Sequence, residues 1–171
     1  RKANMETSGH TSTRWFDAAN LPAEQVDQKD NLKAMIVMGH GGNTIPRMPD
    51  AVKGLEKLEL LVVADPHPTN FVSLGQRKNG TYLLPAATQF ECSGSRTCSN
   101  RSVQWGEKVV DPIFESANDY WIIYRLAQKL GFAEPMFKPY EMVQGKFGAE
   151  PSPESILREI NGEIQRAASA A

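Results

Sequence analysis

The densest chemistry in this chain lies in six consecutive residues, Gly39-His40-Gly41-Gly42-Asn43-Thr44. Glycine has no Cβ and tolerates positive φ, so such a loop lets backbone N–H groups approach a ligand closely. Those N–H groups, with the start of a following helix, can hold a phosphate. The loop has neither the dinucleotide Gly-x-Gly-x-x-Gly spacing nor the Gly-Lys-Ser/Thr of a P-loop. A tight strand-to-helix turn in a structural sheet is the alternative reading of the same residues. A second cluster follows at Asp65-Pro66-His67-Pro68-Thr69. A carboxylate at a strand end can accept two hydrogen bonds, from a ribose diol or from the N–H pair on the edge of guanine. It can also simply cap the turn that follows it. His40 and His67 could join Asp65 and a serine in a hydrolase triad. No Gly-x-Ser-x-Gly elbow is present, and loop hydrogen bonding is the plainer role. No residue is assigned to catalysis and none to a metal.

The elements that must position these loops are legible around them. Ala34 to Met38 is a continuous apolar run, the pattern of a strand covered on both faces. Met48, Ala51, Val52, Leu55 and Leu58 recur at helical spacing, with Pro49 near the helix start and Asp50 at its positive end. Leu60 to Ala64 is a second wholly apolar strand. The three make a βαβ unit with a right-handed crossover, so both loops leave the carboxyl ends of parallel strands, where open α/β sheets bind ligands.

Residues 1–31 read as a connecting segment with one short helical turn, and Trp15-Phe16 as an apolar anchor without a local partner. Asn70 to Leu74 can begin a helix that Gly75 breaks. After the Asn79-Gly80 turn signal, Thr81 to Leu84 reads as a third strand. Residues 86–105 read as a long irregular loop whose Glu91, Asn100, Arg101 and Gln104 could wrap a polar ligand or an interface. A helix is predicted from Asp119, with Asn118 as N-cap, Ile122, Ile123, Leu126, Ala127 and Leu130 on one face, and Gly131 as stop. On its own, Asp119 at a helix start is a dipole-favoured surface acid. Residues 132–151 read as an irregular connector, and a last helix opens with Ser152 as N-cap and Pro153 at its first position. The boundaries follow as 1–31 connecting segment, 32–131 Rossmann-like cofactor-binding part, and 132–171 connector with the C-terminal helix. The fold class is α/β: a partial Rossmann-like domain with a mostly parallel sheet. Three strands are few for an independent sheet, which points to part of a larger domain.

At 171 residues, with 40% apolar and 23% charged residues, the composition is that of an ordinary globular protein. A net charge of -1 gives no reason to expect a nucleic-acid partner. No apolar run approaches the roughly 20 residues that span a bilayer. No secretion signal is recognisable, and the chain opens on Arg1, so it reads as a mature product or a piece of something longer. Cys92 and Cys98 lie in a polar loop and could form a disulfide, with two partly buried thiols as the plainer reading. With His10, His40 and His67 scattered, they offer no zinc spacing. Two cysteines alone also cannot ligate an iron–sulfur cluster.

The motifs together carry a resemblance. MGHGGNTIPRMPDAVKGLEKLELLVVADPHPT, TYLLPAATQFECSGSRTCSNRSVQWGEKVVDPIFES, NDYWIIYRLAQKLGF and ILREIN recur in order over roughly Gln28 to Asn161. They resemble the catalytic (alpha) subunit of molybdenum- or tungsten-dependent formate dehydrogenases, within the DMSO reductase family. The resemblance implies a parent enzyme that oxidises formate to carbon dioxide at a metal carried by two molybdopterin guanine dinucleotides. This chain would then hold the guanosine and phosphate end of one dinucleotide. Carried over by position, Gly39, His40, Gly41, Asn43 and Thr44 form the first cofactor loop, Asp65, Pro66 and Thr69 the second, and Asp119 is a further acid that approaches the cofactor. Gly41 departs from the pattern, standing where more distant formate dehydrogenases carry an acid. The polar contact there would fall to His40, Asn43 or Asp65. The family's Cys or selenocysteine metal ligand, its neighbouring His and Arg, and its four-cysteine motif for a 4Fe-4S cluster have no counterpart here. The resemblance therefore implies an interior piece, inactive alone. Its partners would be the remainder of the catalytic subunit and an iron–sulfur beta subunit. The motifs sit closer to the periplasmic, membrane-complex branch than to the cytoplasmic NAD-linked one. A free-standing nucleotide-binding module and another molybdopterin oxidoreductase such as a nitrate reductase are the competing expectations.

Overall fold

The computed structural model describes the backbone of residues 9–26 and 30–169, and side chains as far as residue 162. Of the expected connecting segment, residues 1–8 and 27–29 lie outside the described residues. The chain divides into two compact units, residues 1–84 and 85–171.

The first unit is the βαβ arrangement. Strand β1 (Ala34–Met38) and strand β2 (Leu60–Asp65) run parallel, with Ala34 opposite Leu60 and Met38 opposite Ala64. Helix α1 (Trp15–Asn20) precedes them, and helix α2 (Met48–Lys57) makes the crossover. A four-residue helix α3 (Asn70–Ser73) follows the second loop, and strand β3 (Tyr82–Pro85) adds beyond β2 to give the order β1-β2-β3. The core joins Trp15, Phe16, Ala51, Leu55, Leu58 and Phe71 to Val37, Leu61 and Val63 of the sheet.

Two expectations are corrected here. The Trp15-Phe16 anchor has its partner: Phe16 is fully buried and Trp15 nearly so, packed on α2. Gly54 makes the contact. A Cβ there would lie 3.0 Å from the Phe16 Cβ and 3.1 Å from the Trp15 ring. A mid-helix glycine costs about 0.5–1 kcal/mol, which the close seating of two aromatics offsets. Sequence alone hides this, because six residues of helix are too short for a period and the glycine reads as a flaw. The second correction concerns the sheet. Val37, Leu61 and Val63 are buried, but Ile36 is 46% and Leu60 40% exposed, so the strands are covered on one face rather than two. Period-2 alternation is present in burial even though every residue is apolar.

The second unit is built from helices and two hairpins. Strands β4 (Gly94–Thr97) and β5 (Val103–Gly106) pair antiparallel, as do β6 (Met142–Gly145) and β7 (Gly148–Pro151). Helix α4 (Asp119–Leu130) lies between the hairpins, followed by α5 (Ala133–Phe137), and α6 (Pro153–Ser169) closes the chain. Both stretches expected to be irregular therefore contain hairpins. Their four-residue strands are too short and too polar for alternation to register, and their turns use left-handed residues, Arg101 at φ 67 and Gly148 at φ 115. The α4 caps are as expected. Asn118 Oδ1 accepts from the Trp121 N–H at 2.7 Å, and Gly131 ends the helix at φ 80. Its apolar face is only partly covered: Ala127 is buried, while Leu126 and Leu130 are exposed. Ser152 likewise caps α6, its Oγ accepting from the Ser155 N–H at 3.2 Å.

The packing of α1 sets a stability test. Phe16→Ala should cost about 3–5 kcal/mol in chemical denaturation, and Ile36→Ser, on the open sheet face, under about 1 kcal/mol. A small loss at Phe16 would show that α1 is not part of the core.

Candidate functional site

The two glycine- and proline-bearing loops leave the carboxyl ends of β1 and β2, which are neighbours, so the topology brings them side by side. Two backbone hydrogen bonds stitch them together. The Gly39 N–H donates to the Ala64 carbonyl at 3.2 Å, and the Asn70 N–H donates to the Gly41 carbonyl at 3.2 Å. Gly39 and Gly42 take positive φ, 61° and 74°. At Gly42 a Cβ would lie 2.9 Å from the Phe71 ring, so glycine is required twice over, by conformation and by space. Around Gly39 a Cβ would meet nothing within 4 Å: that side of the loop is open.

Within the first loop, His40 Nδ1 accepts from the Gly42 N–H at 2.9 Å, and its ring packs edge-on against Phe71 at 5.8 Å. The imidazole thus shapes the loop, and its Nε2 carries the proton. The N–H groups and side chains of Asn43 and Thr44 make no hydrogen bond within the described residues, and both residues are exposed. In the second loop, Asp65 Oδ1 accepts from the His67 N–H at 3.1 Å, forming the turn cap that was one of the two readings. Its second oxygen has no partner among the described residues. Pro66 is exposed. Thr69 Oγ1 is buried with no hydrogen-bond partner, although Thr69 stands at the N-cap of α3.

The start of α2 is not adjacent to this cradle in sequence. Ile45, Pro46 and Arg47 separate it from Thr44. Arg47 is left-handed (φ 56), and pairs with Asp17 at 3.2 Å and Asp50 at 2.8 Å while lying over the Phe16 ring at 5.1 Å. Burial would raise the Asp17 carboxyl, but Arg14 and then Arg47 outweigh it and hold it below its usual range. The helix start is thus engaged with its own charges, and the donors the loop offers are its own amides.

Asp119 belongs to the second unit. It is exposed in the first turn of α4 and lines a cavity of about 370 Å³ with Gln89, Ser95, Arg96, Asn118 and Tyr120. A second cavity in this unit, about 720 Å³, is bordered by Lys108, Asn118, Lys146 and Glu150. It does not coincide with the first unit's loops, which form an open shelf instead. Of the loop residues read as ligand wrappers, two are spent internally. Glu91 is buried and accepts from the N–H groups of Thr88 (2.7 Å) and Ile113 (2.9 Å), and Asn100 Oδ1 accepts from Ser102. These backbone bonds hold the Glu91 carboxyl below its usual range against the opposing effect of burial. Cys92 and Cys98 are both free thiols, so no disulfide forms. Burial pushes the Cys92 thiol up. Among the described residues no helix is long and apolar enough to cross a membrane.

The sequence reading missed Phe71 and Arg47. Phe71 follows Thr69 by two residues in a segment too short to show a period. Arg47 gave no signal, since left-handed arginine is not a residue-type preference.

The family model for molybdopterin oxidoreductases matches residues 9–129, a span containing both loops and Asp119. The chain belongs to this family. Curated relatives include the F420-dependent formate dehydrogenase subunit alpha of Methanocaldococcus jannaschii, 36% identical over 115 residues, or 65% of this chain and 16% of that one. A probable oxidoreductase of Bacillus subtilis is 32% identical over 129 residues, covering 72% of this chain and 18% of its own. The dimethyl sulfoxide/trimethylamine N-oxide reductase of Cereibacter sphaeroides is 34% identical over 97 residues, covering 53% and 11%. Among solved structures, acetylene hydratase from Pelobacter acetylenicus superposes with a TM-score of 0.52 at 21% identity, over 70% of this chain and 15% of that one, a likeness of fold. The chain spans less than a fifth of the length of these relatives. A molybdopterin oxidoreductase carries a molybdopterin cofactor with molybdenum or tungsten. The cradle fits the polar end of such a group: it has open space over Gly39, undonated amides at Asn43 and Thr44, a free Asp65 oxygen and the orphaned Thr69 hydroxyl.

Glu91 sets a pH test. Its folded pKa lies below the usual 4.5, so its contribution is complete above that value and is lost as pH falls through the lowered folded value. Glu91→Gln should cost about 1–3 kcal/mol at neutral pH. The gap to the parent chain should close as denaturation is repeated below pH 4.5. A gap that stays constant with pH would show that the ionised carboxylate does not matter.

Proposed function

We propose that this chain is the nucleotide-holding part of a formate dehydrogenase catalytic subunit, binding the guanine dinucleotide end of a molybdopterin cofactor. The observation that carries the reading is the pair of stitched loops at the carboxyl ends of parallel strands, with donors and an acceptor left over. Gly39, Gly41 and Gly42 keep the shelf low enough for phosphate to reach backbone. Asn43 and Thr44 supply N–H groups, His40 braces the loop, and Pro66 and Thr69 set the second wall. Asp65 takes the guanine edge or the ribose diol with its remaining carboxylate oxygen. When bound, the cofactor supplies the metal at which formate is oxidised to carbon dioxide. This chain binds and orients the nucleotide end, and the metal's protein ligands lie in the rest of the subunit.

The formate assignment rests on the run of motifs and on similarity to a formate dehydrogenase alpha subunit at 36% identity. A second reading, a reductase of the dimethyl sulfoxide type, is favoured by a relative at 34% identity. The parent would work with an iron–sulfur beta subunit, in the periplasm, and carry its 4Fe-4S cluster outside this segment.

GDP is a convenient probe of the nucleotide end. Calorimetric titration of the chain should show GDP binding, and Asp65→Asn should weaken it about tenfold by removing a charged acceptor. Equal GDP affinity in Asp65→Asn and the parent chain would overturn the reading. Assay of the intact subunit separates the two enzymes: formate oxidation supports the first, and reduction of dimethyl sulfoxide the second.

A further inference from the structure

We propose that Arg47, latched to Asp17 of α1, is a positioning residue for the Asn43 and Thr44 amides of the first loop. This inference rests on the reading of that loop as the nucleotide cradle and extends it to side chains outside the loop, all within the first unit.

The loop is fixed at its upstream end, where His40 Nδ1 takes the Gly42 N–H and the Phe71 ring lies over Gly42. Downstream, Ile45 is buried in the core and the Pro46 ring locks its own φ. Arg47 then turns left-handed, φ 56 and ψ 47, and its carbonyl opens α2 by accepting from the Asp50 and Ala51 N–H groups. For an arginine that backbone conformation is costly, and it persists only where the surroundings enforce it. Asn43 and Thr44 are thus a two-residue span between Gly42 and Ile45. Both ends of so short a span must be fixed if its amides are to keep one direction.

What enforces it comes from α1 and from the first turn of α2. Arg47 Nη1 donates to Asp17 Oδ1 at 3.2 Å, and Nε donates to Asp50 Oδ2 at 2.9 Å. The guanidinium face rests over the Phe16 ring at 5.1 Å. A planar fork can meet two carboxylates while its face lies on an aromatic, which the point charge of a lysine does not do. Asp17 is 4% exposed, and its other oxygen takes the Arg14 Nε at 2.7 Å. Arg14 therefore compensates the buried charge from within α1. The second pair, to a residue 30 positions along, adds a link to the exit of the loop. Asn20 repeats that link, its Nδ2 donating to the Asp50 carbonyl at 2.7 Å. A short helix with no residue in the cradle thus sets where the cradle ends.

The test uses the 171-residue chain and two readouts. One is the order parameter of the Asn43 and Thr44 amides without ligand, from nitrogen relaxation, and the other is GDP affinity by calorimetry. Arg47→Gln and Asp17→Asn should each lower both order parameters from about 0.85 toward 0.6. Each should also weaken GDP about fivefold, the order of one unsupported left-handed residue. The two substitutions change net charge in opposite directions, so a shared loss is not long-range attraction. Arg14→Gln removes the same charge as Arg47→Gln and also an ion pair to Asp17, but it leaves the link to the loop. It should leave both amides ordered and GDP within about twofold, whatever happens to its melting temperature. Unchanged amides in Arg47→Gln and Asp17→Asn overturn the latch. Loosened amides with GDP affinity intact overturn the positioning role. Equal losses in Arg14→Gln and Arg47→Gln show a general effect of stability and also overturn it. A parent chain that does not bind GDP overturns the reading of the cradle, while the amides still decide the latch. If Asp17→Asn loses its cooperative melt, Arg47→Gln decides, since that side chain is 55% exposed.

Discussion

The stitching of the two loops is the constraint on which the first unit's site depends. One hydrogen bond, from the Asn70 N–H to the Gly41 carbonyl, fixes the spacing of the cradle walls. Phe71, the next residue, lies on Gly42 and packs its ring against His40, so the same short helix that closes the second loop also shapes the first. Phe71 is at the same time a core residue, in contact with Trp15 at 6.1 Å between ring centroids. The cradle therefore inherits its rigidity from the hydrophobic core beneath it. Its upper surface remains polar and underused, with the Asn43 and Thr44 amides and one Asp65 oxygen available to a ligand.

Much of this was legible from residue types. Wherever local chemistry decides, sequence and structure agree: β1 and α2 begin at the expected residues, the apolar run at Leu60 is a strand, and Asn118, Gly131 and Ser152 cap as their types require. The two loops meet because parallel strands joined by one helix leave no other arrangement. What escaped the sequence depends on partners far along the chain. Gly54 looks like a weakness in α2 until Trp15 and Phe16 are seated on it. The hairpins at 94–106 and 142–151 have strands of four residues, too brief for a period, and are held by turn residues and side-chain bonds. Glu91 looks like a ligand contact because it is a carboxylate in a long polar loop. It is instead a buried staple for two backbone amides.

Burial also corrected an inference from composition. A continuous apolar strand implies two covered faces, yet Ile36 and Leu60 are exposed. The residue types alone do not distinguish the faces; burial shows that Val37, Leu61 and Val63 lie on the covered one. The same contrast holds for α4, whose apolar face continues past the buried Ala127 to exposed Leu126 and Leu130.

We propose that the loops after β1 and β2 hold the nucleotide end of the family's cofactor. Backbone amide chemical shifts, followed by NMR as GDP is added to the isotope-labelled chain, test it most directly. The largest shifts should fall at residues 39–44 and 65–70, with the buried strand amides of Leu61 and Val63 little changed. Shifts confined to the hairpins of the second unit, with residues 39–44 and 65–70 silent, would contradict it.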